Sequence, residues 1–283
     1  VTHNIIESDF NKKLSSTYQL SILVGTDSWF YFAFDGADNA LLLKSQNLPE
    51  PAAGKTDLKT ELKSSIEQED LFSYLYRRVK IALPTTTAAV VPDRLYNEAE
   101  KSTYLQEQTN LREGNAVMSD EIPELGVKVV YEADPALMSL LKKKFPTARF
   151  YSSVTPFLLG CRQLAKEDEQ AHTVLVNLVK DVVQIFLFEK QQLHFFNAFP
   201  ISSASDVLYF TMLTYQQFSL DPATVPLYLS GQVMENSEIY KMLYRYVGNL
   251  KFVAEFSFLK FNKRFSEVPQ HFYFGLYSLT LCK

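Results

Sequence analysis

The chain has 283 residues, of which 47% are hydrophobic and 21% charged. That is the balance of an ordinary globular protein, and it excludes a largely disordered chain. A net charge of −4 excludes a global electrostatic pull toward nucleic acid or anionic lipid.

Taken in order, Tyr18 to Val24 and Trp29 to Phe34 are β-rich runs around the short turn Gly25 to Ser28. Ala40 to Lys44 follows Asp35-Gly36, and the three runs predict an antiparallel meander. Asn47 to Lys55 reads as a loop. Thr56 to Glu69 reads as a helix with Leu58, Leu62 and Ile66 on one face, continuing through Leu71 to Arg77. Val79 to Leu83 and Ala88 to Val91 are expected strands, and Asp93 is expected to cap a helix running to Glu107. Asn110 to Leu125 is polar and reads as irregular. Val127 to Tyr131 reads as a buried strand. Asp134-Pro135 then opens a helix to Phe145, with Asp at the N-cap and Pro in the first turn. Arg149 to Tyr151 is an expected strand, Thr155 to Ala165 a helix, and Lys166 to Gln170 a charged linker.

The opening pattern then returns. Thr173 to Leu178, Val182 to Phe188 and Leu193 to Phe196 predict a second meander. It is followed by a helix over 206–218, a strand over 225–229, a helix over 237–247, a strand over 250–253 and a closing helix over 268–281. Leu20 aligns with Val174, Asp27 with Asp181 and Phe34 with Phe188, each 154 positions on. The pattern predicts a duplicated βββαβα unit. Its first lobe would be 1–168, with a small inserted subdomain near 93–126, and its second lobe 169–283.

Two such halves resemble the actin, sugar kinase and heat-shock ATPase superfamily, a ribonuclease H-like α/β fold with two lobes around a cleft. In that family the first hairpin turn is Asp-x-Gly-Thr, which holds phosphate and positions a metal. Here it is Leu23-Val24-Gly25-Thr26, with leucine for the aspartate. The second Asp-x-Gly turn corresponds to Asn177-Leu178-Val179, where both the carboxylate and the glycine are gone. Thr155 to Gly160 resembles the family's linking helix, Leu229-Ser230-Gly231-Gln232 its adenosine segment, and Phe274-Gly275-Leu276 its last helix. The compact form is similar to the pilus-assembly and cell-division branch. More narrowly, the chain is identified as a member of a Bacteroidetes family of uncharacterised proteins with this fold.

The resemblance implies a nucleotide cleft at Gly25, Thr26, Ser230 and Gly231. The lost carboxylates imply a non-catalytic binding or scaffold protein, a pseudo-ATPase with a protein partner and at most weak nucleotide binding. No catalytic residue, metal ligand or required cofactor is expected. One alternative is an ATPase using ATP and magnesium with relocated acids at Asp27 or Asp181, although aspartate at a hairpin turn is also ordinary turn chemistry. A second alternative is an RNA-associated protein reading through Lys260, Lys263 and Arg264, which interleave with Phe261 and Phe265.

Other candidates are weaker. Ala53-Gly54-Lys55-Thr56 lacks the glycine of a phosphate loop where Pro49 stands. Lys142-Lys143-Lys144 reads as a solvated helix face. His3, His172, His194 and His271 have no metal spacing. Cys161 and Cys282 read as reduced thiols. The N-terminal residues VTHNIIESDFNKKL lack a signal peptide's apolar core. The longest apolar run, Val174 to Phe188, falls short of the roughly 20 residues of a membrane helix. A cytoplasmic protein is therefore expected. Phe195, Phe196, Phe199, Tyr209 and Phe210 form an aromatic-rich region that is either core or a partner patch.

Overall fold

The computed structural model describes residues 2–26, 28–48, 58–106, 108–167, 171–254 and 256–283. Asp27, the segment carrying Pro49 and 53–56, Glu107, and 168–170 of the charged linker lie outside the described residues.

The first sheet begins with β1 (Asn4–Ile6), β2 (Gln19–Val24), β3 (Ser28–Phe34) and β4 (Ala40–Asn47). After α1 (Leu58–Gln68) come β5 (Arg78–Leu83) and β6 (Ala88–Pro92), then α2 (Lys101–Gln106), β7 (Ala116–Ile122) and β8 (Val127–Ala133). α3 (Pro135–Lys144), β9 (Arg149–Ser152) and α4 (Val154–Glu167) follow. The second sheet is built from β10 (His172–Val179), β11 (Val182–Glu189), β12 (Gln192–Pro200), β13 (Leu227–Gly231) and β14 (Leu250–Phe252). α5 (Ala204–Gln217) and α6 (Glu238–Tyr244) lie between its strands, and α7 (Phe274–Ser278) comes near the end.

The two large sheets share one topology. The first runs β1-β4-β3-β2-β5-β9 and the second β12-β11-β10-β13-β14, so without β1 the orders are identical. Both open with an antiparallel hairpin and continue with parallel strands. The repeat extends to single residues. Leu20 faces Ala33 in the first hairpin and Val174 faces Leu187 in the second, both partners shifted by the same amount. Each meander also breaks register at the same place, between Ala33 and Phe34 and between Leu187 and Phe188. A bulge sharpens local twist, so the duplication preserves curvature as well as order.

Strands β6, β8 and β7 form a separate antiparallel sheet. The polar stretch 110–125 thus contains β7, where the sequence pattern predicts irregular structure. The reason is Asp120. It occupies the buried phase of the strand beside Ile122, and a buried carboxylate hides the alternation by which a half-buried strand is recognised.

Three helix expectations also change. Residues 71–77 hold only a 3-10 turn, Asp70–Ser73. The segment after Asp93 is two 3-10 turns and then α2, because Asn97 caps midway by accepting from the Ala99 N–H at 3.1 Å. The closing helix is the five-residue α7 between 3-10 turns at Gln270–Tyr273 and Leu279–Leu281. Pro269 is extended there, with ψ 104. By contrast α3 starts as expected: Asp134 accepts from the N–H groups of Ala136 at 2.8 Å and Leu137 at 3.3 Å. α5 starts two residues early on a capping box between Ser203 and Asp206.

The largest core cluster crosses between the sheets. Phe157 of α4 stacks on Phe186 of the second sheet at 4.7 Å and meets Phe274 of α7 edge-on at 4.8 Å. The closing segment returns to the first sheet, where Tyr277 meets Phe32 at 5.0 Å. Helices α4 and α7 cross closely at Gly160, where a Cβ would lie 2.1 Å from Ser278 Oγ and 2.8 Å from Phe274 Cζ.

Candidate functional site: the cleft between the repeats

The carboxyl ends of the parallel strands and both hairpin turns converge on one cavity of about 350 Å³. This is where ligands sit in open α/β sheets. Gly25 and Thr26 line it from the first half, and Ser230 and Gly231 from the second, so the four residues chosen from sequence meet at one place. Asn177, Val179 and Lys180 of the second turn face the same space.

The position where the resemblance to the ATPase superfamily would put a metal-positioning aspartate, Leu23, is apolar. Leu23 lines the cavity and packs toward α7, such that a Cβ on Gly275 would lie 3.3 Å from Leu23 Cδ1. Asn177, the counterpart in the second half, donates from Nδ2 to Gln184 Oε1 at 2.9 Å. The glycines have local duties. The Gly25 N–H donates to the Ser28 carbonyl at 2.7 Å, and a Cβ would approach that oxygen to 2.8 Å. Gly231 has φ +95, and a Cβ there would lie only 2.2 Å from the Leu178 carbonyl oxygen. Any L side chain is strained at this position. The Ser230 hydroxyl donates to the His271 carbonyl at 2.8 Å and is buried.

Gln232 of the expected adenosine segment also lines the cavity, and sequence reasoning missed Thr85, Thr86 and Ser153, which line it too. The available signal was the Thr85-Thr86-Thr87 run just past β5, at the carboxyl end of a parallel strand. Thr26, Thr85 and Thr86 also border a second, more polar cavity of about 360 Å³ beside Lys59, Arg112, Glu132 and Asp134. Burial disfavours the Asp134 carboxylate, but N–H donors from Ala136 and Leu137, together with Lys59, hold it below the ordinary range.

Asp120 ties the small sheet to this cleft. It accepts from the Ser152 N–H at 2.7 Å, the Thr155 hydroxyl at 2.6 Å and the Tyr131 hydroxyl at 3.1 Å. Ser152 passes the connection to Thr85 at 3.1 Å, and the Thr85 N–H donates to Ser153 Oγ at 3.2 Å. Burial pushes the Asp120 carboxyl up to about 6, against those three hydrogen bonds.

The remaining candidates lie elsewhere. Asp181 is an exposed turn residue outside the cavity lining, whose carbonyl accepts from the Ile201 N–H. In the Lys260 to Phe265 segment, Phe265 is fully buried and Phe261 packs on the core, so its aromatic half is structural. The Arg264 guanidinium donates to the Ile6 carbonyl at 3.0 Å. Lys142, Lys143 and Lys144 are exposed in the last turn of α3. His271 is buried on Phe252, and His194 pairs with Glu189 at 2.9 Å. No described helix is long and apolar enough to cross a membrane.

Two repeated sheets with a cleft at the carboxyl ends of their strands define an actin-like ATPase fold, and known structures agree. A Bacteroides thetaiotaomicron protein with an actin-like ATPase fold and unknown function is 22% identical. The match has a TM-score of 0.75 and covers 86% of this chain and 93% of that one. The structure of the PilM–PilN type IV pilus biogenesis complex matches at 12% identity and TM-score 0.65, covering 93% and 97%. The ethanolamine utilization protein EutJ from Carboxydothermus hydrogenoformans matches at 10% and 0.52, covering 94% and 90%. At these identities the likeness shows the fold alone. The chain itself belongs to the family described as Protein of unknown function (DUF3822), whose model matches residues 7–250. Nothing matches among curated proteins.

Proposed function

We propose that this chain is a non-catalytic actin-fold binding protein, a cytoplasmic scaffold whose cleft is kept for shape and ligand or partner contact rather than for phosphoryl transfer. The observation that carries the proposal is Leu23. Phosphoryl transfer in this fold depends on charge that positions a metal at the phosphates. At that position the chain places an apolar side chain packed toward the glycine of α7. Asn177, its counterpart, is an amide already bonded to Gln184.

The phosphate end does not fit a magnesium triphosphate well. The described lining residues include Lys180 and several hydroxyls but no carboxylate. The Gly25 N–H, which would face a phosphate in the family, is bonded within its own turn. Gly231, Gln232 and Ile239 leave the adenosine end better suited to weak nucleotide binding. In this reading the lobes divide at 168/169 and the inserted unit near 93–126 includes β7. A solved structure of the same fold, PilM, is in a complex with PilN, which favours a protein partner here.

The test is ATP turnover by the purified chain with magnesium, alongside Asp27→Asn and Asp181→Asn. The expected result is no turnover above background in any of the three. Magnesium-dependent turnover that either substitution abolishes would replace this reading with the relocated-acid ATPase.

A further inference from the structure

Strand β12 is an outer strand of the second sheet, and among the described residues no strand pairs with its free side. None of its nine residues is fully buried. Its counterpart in the first sheet, β4, buries Ala40, Leu41, Leu42, Leu43 and Ser45. The difference is β1, which adds antiparallel to β4 with Ile5 opposite Leu43. The cover extends past the strand through Ser45 N–H to the His3 carbonyl and Glu7 N–H to the Leu41 carbonyl, both at 2.9 Å.

An uncovered edge offers a row of N–H and C=O groups, which proteins usually protect with short strands, lysines or prolines; on β12 one of these, the Ala198 N–H, is met by its own neighbour, Asn197 Oδ1, at 2.8 Å. β12 is long and reads QLHFFNAFP, with no Asp, Glu, Lys or Arg and a proline only at its last position. An aromatic shelf stands beside it. Phe199 stacks on Phe210 at 4.2 Å, and Tyr209 meets Phe210 edge-on and is 61% exposed. Leu213, one turn along α5, is also exposed.

We propose that β12 pairs antiparallel with β12 of a second copy of this chain, joining two five-stranded sheets into one across a two-fold axis. The first sheet shows that this edge of the repeat accepts an antiparallel strand, and antiparallel is the sense that a two-fold axis imposes on identical edges. Absence of charge is the argument for self-pairing. With the axis at the strand midpoint, Phe196, His194 faces Ala198 of the other copy and Phe195 faces Asn197, so no like charges meet. The two shelves carrying Tyr209 and Leu213 then flank the joined strands and add apolar area to a hydrogen-bonded contact.

Sedimentation equilibrium of the full chain from about 1 to 200 μM tests this. The expected result is a concentration-dependent dimer. Asn197→Lys sets a cation against Phe195 of the other copy, with the two cations diagonal to each other across the new ladder, and should raise the dimer dissociation constant by at least about tenfold. Tyr209→Lys alters only an exposed side chain and should raise it about threefold. Circular dichroism melts report folding, and if Asn197→Lys does not fold, Tyr209→Lys decides alone. A wild-type chain that stays monomeric throughout would overturn the proposal and assign the edge to another partner. A dimer unchanged by the folded variants would equally overturn it. Neither outcome depends on ATP turnover, so this proposal and the functional one can fail separately.

Discussion

The two halves of the molecule solve the same turn differently. In the first, Gly25 closes the hairpin with one hydrogen bond to Ser28, and a Cβ there would lie 2.8 Å from that carbonyl oxygen and force it to shift. In the second, the antiparallel ladder runs one pair further, to Val179 opposite Val182, and the left-handed conformation falls on Lys180, with φ 50. A turn that must wrap phosphate needs free N–H groups and no Cβ in the way. One that only reverses the chain has many solutions, and the two repeats have taken different ones. The edges diverge as well. β4 is capped by β1, whereas among the described residues no strand pairs with the outer side of β12. Duplicated topology has thus been preserved where it sets the core and has drifted where only the rim depends on it.

Glycine substitutions should break this comparison most sharply. Gly231→Ala meets both an unfavourable φ and the Leu178 backbone, and should cost about 3 kcal/mol or more. Gly25→Ala meets one carbonyl at an ordinary φ and should cost less, about 1–2 kcal/mol. Urea titration of the two variants measures the gap. Equal losses would mean the first turn is as constrained as the second half's strand end.

The next largest effect concerns pH. The Asp120 carboxyl is raised to about 6 in the folded chain from 3.8. The folded state therefore holds the proton more tightly, and stability should fall as pH rises from about 4 to 6, by of order 3 kcal/mol. Asp120→Asn keeps an acceptor and removes the titration, so its urea midpoints at pH 4.5 and 7 should lie closer together than the wild type's. A slope unchanged by the substitution would place the titrating group elsewhere. Because Asp120 bridges the small sheet to the first sheet and α4, this measurement concerns a link the second half does not have.

Ile5→Ala should loosen the cover on β4. Ile5 is 9% exposed, and its truncation should cost about 2 kcal/mol. Faster amide exchange at Leu43 and Ser45, whose positions β1 and His3 cover, would show that β1 is what separates the two edges. Smallest of all, Val179→Gly should change stability by less than about 1 kcal/mol and should not by itself create magnesium-dependent nucleotide binding.

Much of the fold was legible because the hairpins repeat residue for residue, and Phe34 and Phe188 even share the bulge position. What was hidden had local causes. β4 runs past Lys44 because its polar end is satisfied: Lys44 pairs with Glu69 at 3.0 Å, Ser45 accepts the His3 N–H, and Gln46 accepts Trp29 Nε1–H. β1 is three residues long, too short for any period to show. In the cleft, glycine and hydroxyl positions were readable by alignment to the family, but their present bonds were not. Sequence places Ser230 and Gly25 at the cleft and cannot reveal that His271 and Ser28 already engage them. Thr85 and Ser153 were missed because threonine and serine in loops carry no periodic signal.

In the proposed reading the cleft keeps the shape of the fold without metal-dependent phosphoryl chemistry. Isothermal titration of the purified chain with ATP, once with magnesium and once with EDTA, tests it most directly. The account predicts weak or no binding that is the same in both conditions to within about twofold. Affinity that rises at least about tenfold with magnesium, together with release of inorganic phosphate, would contradict it.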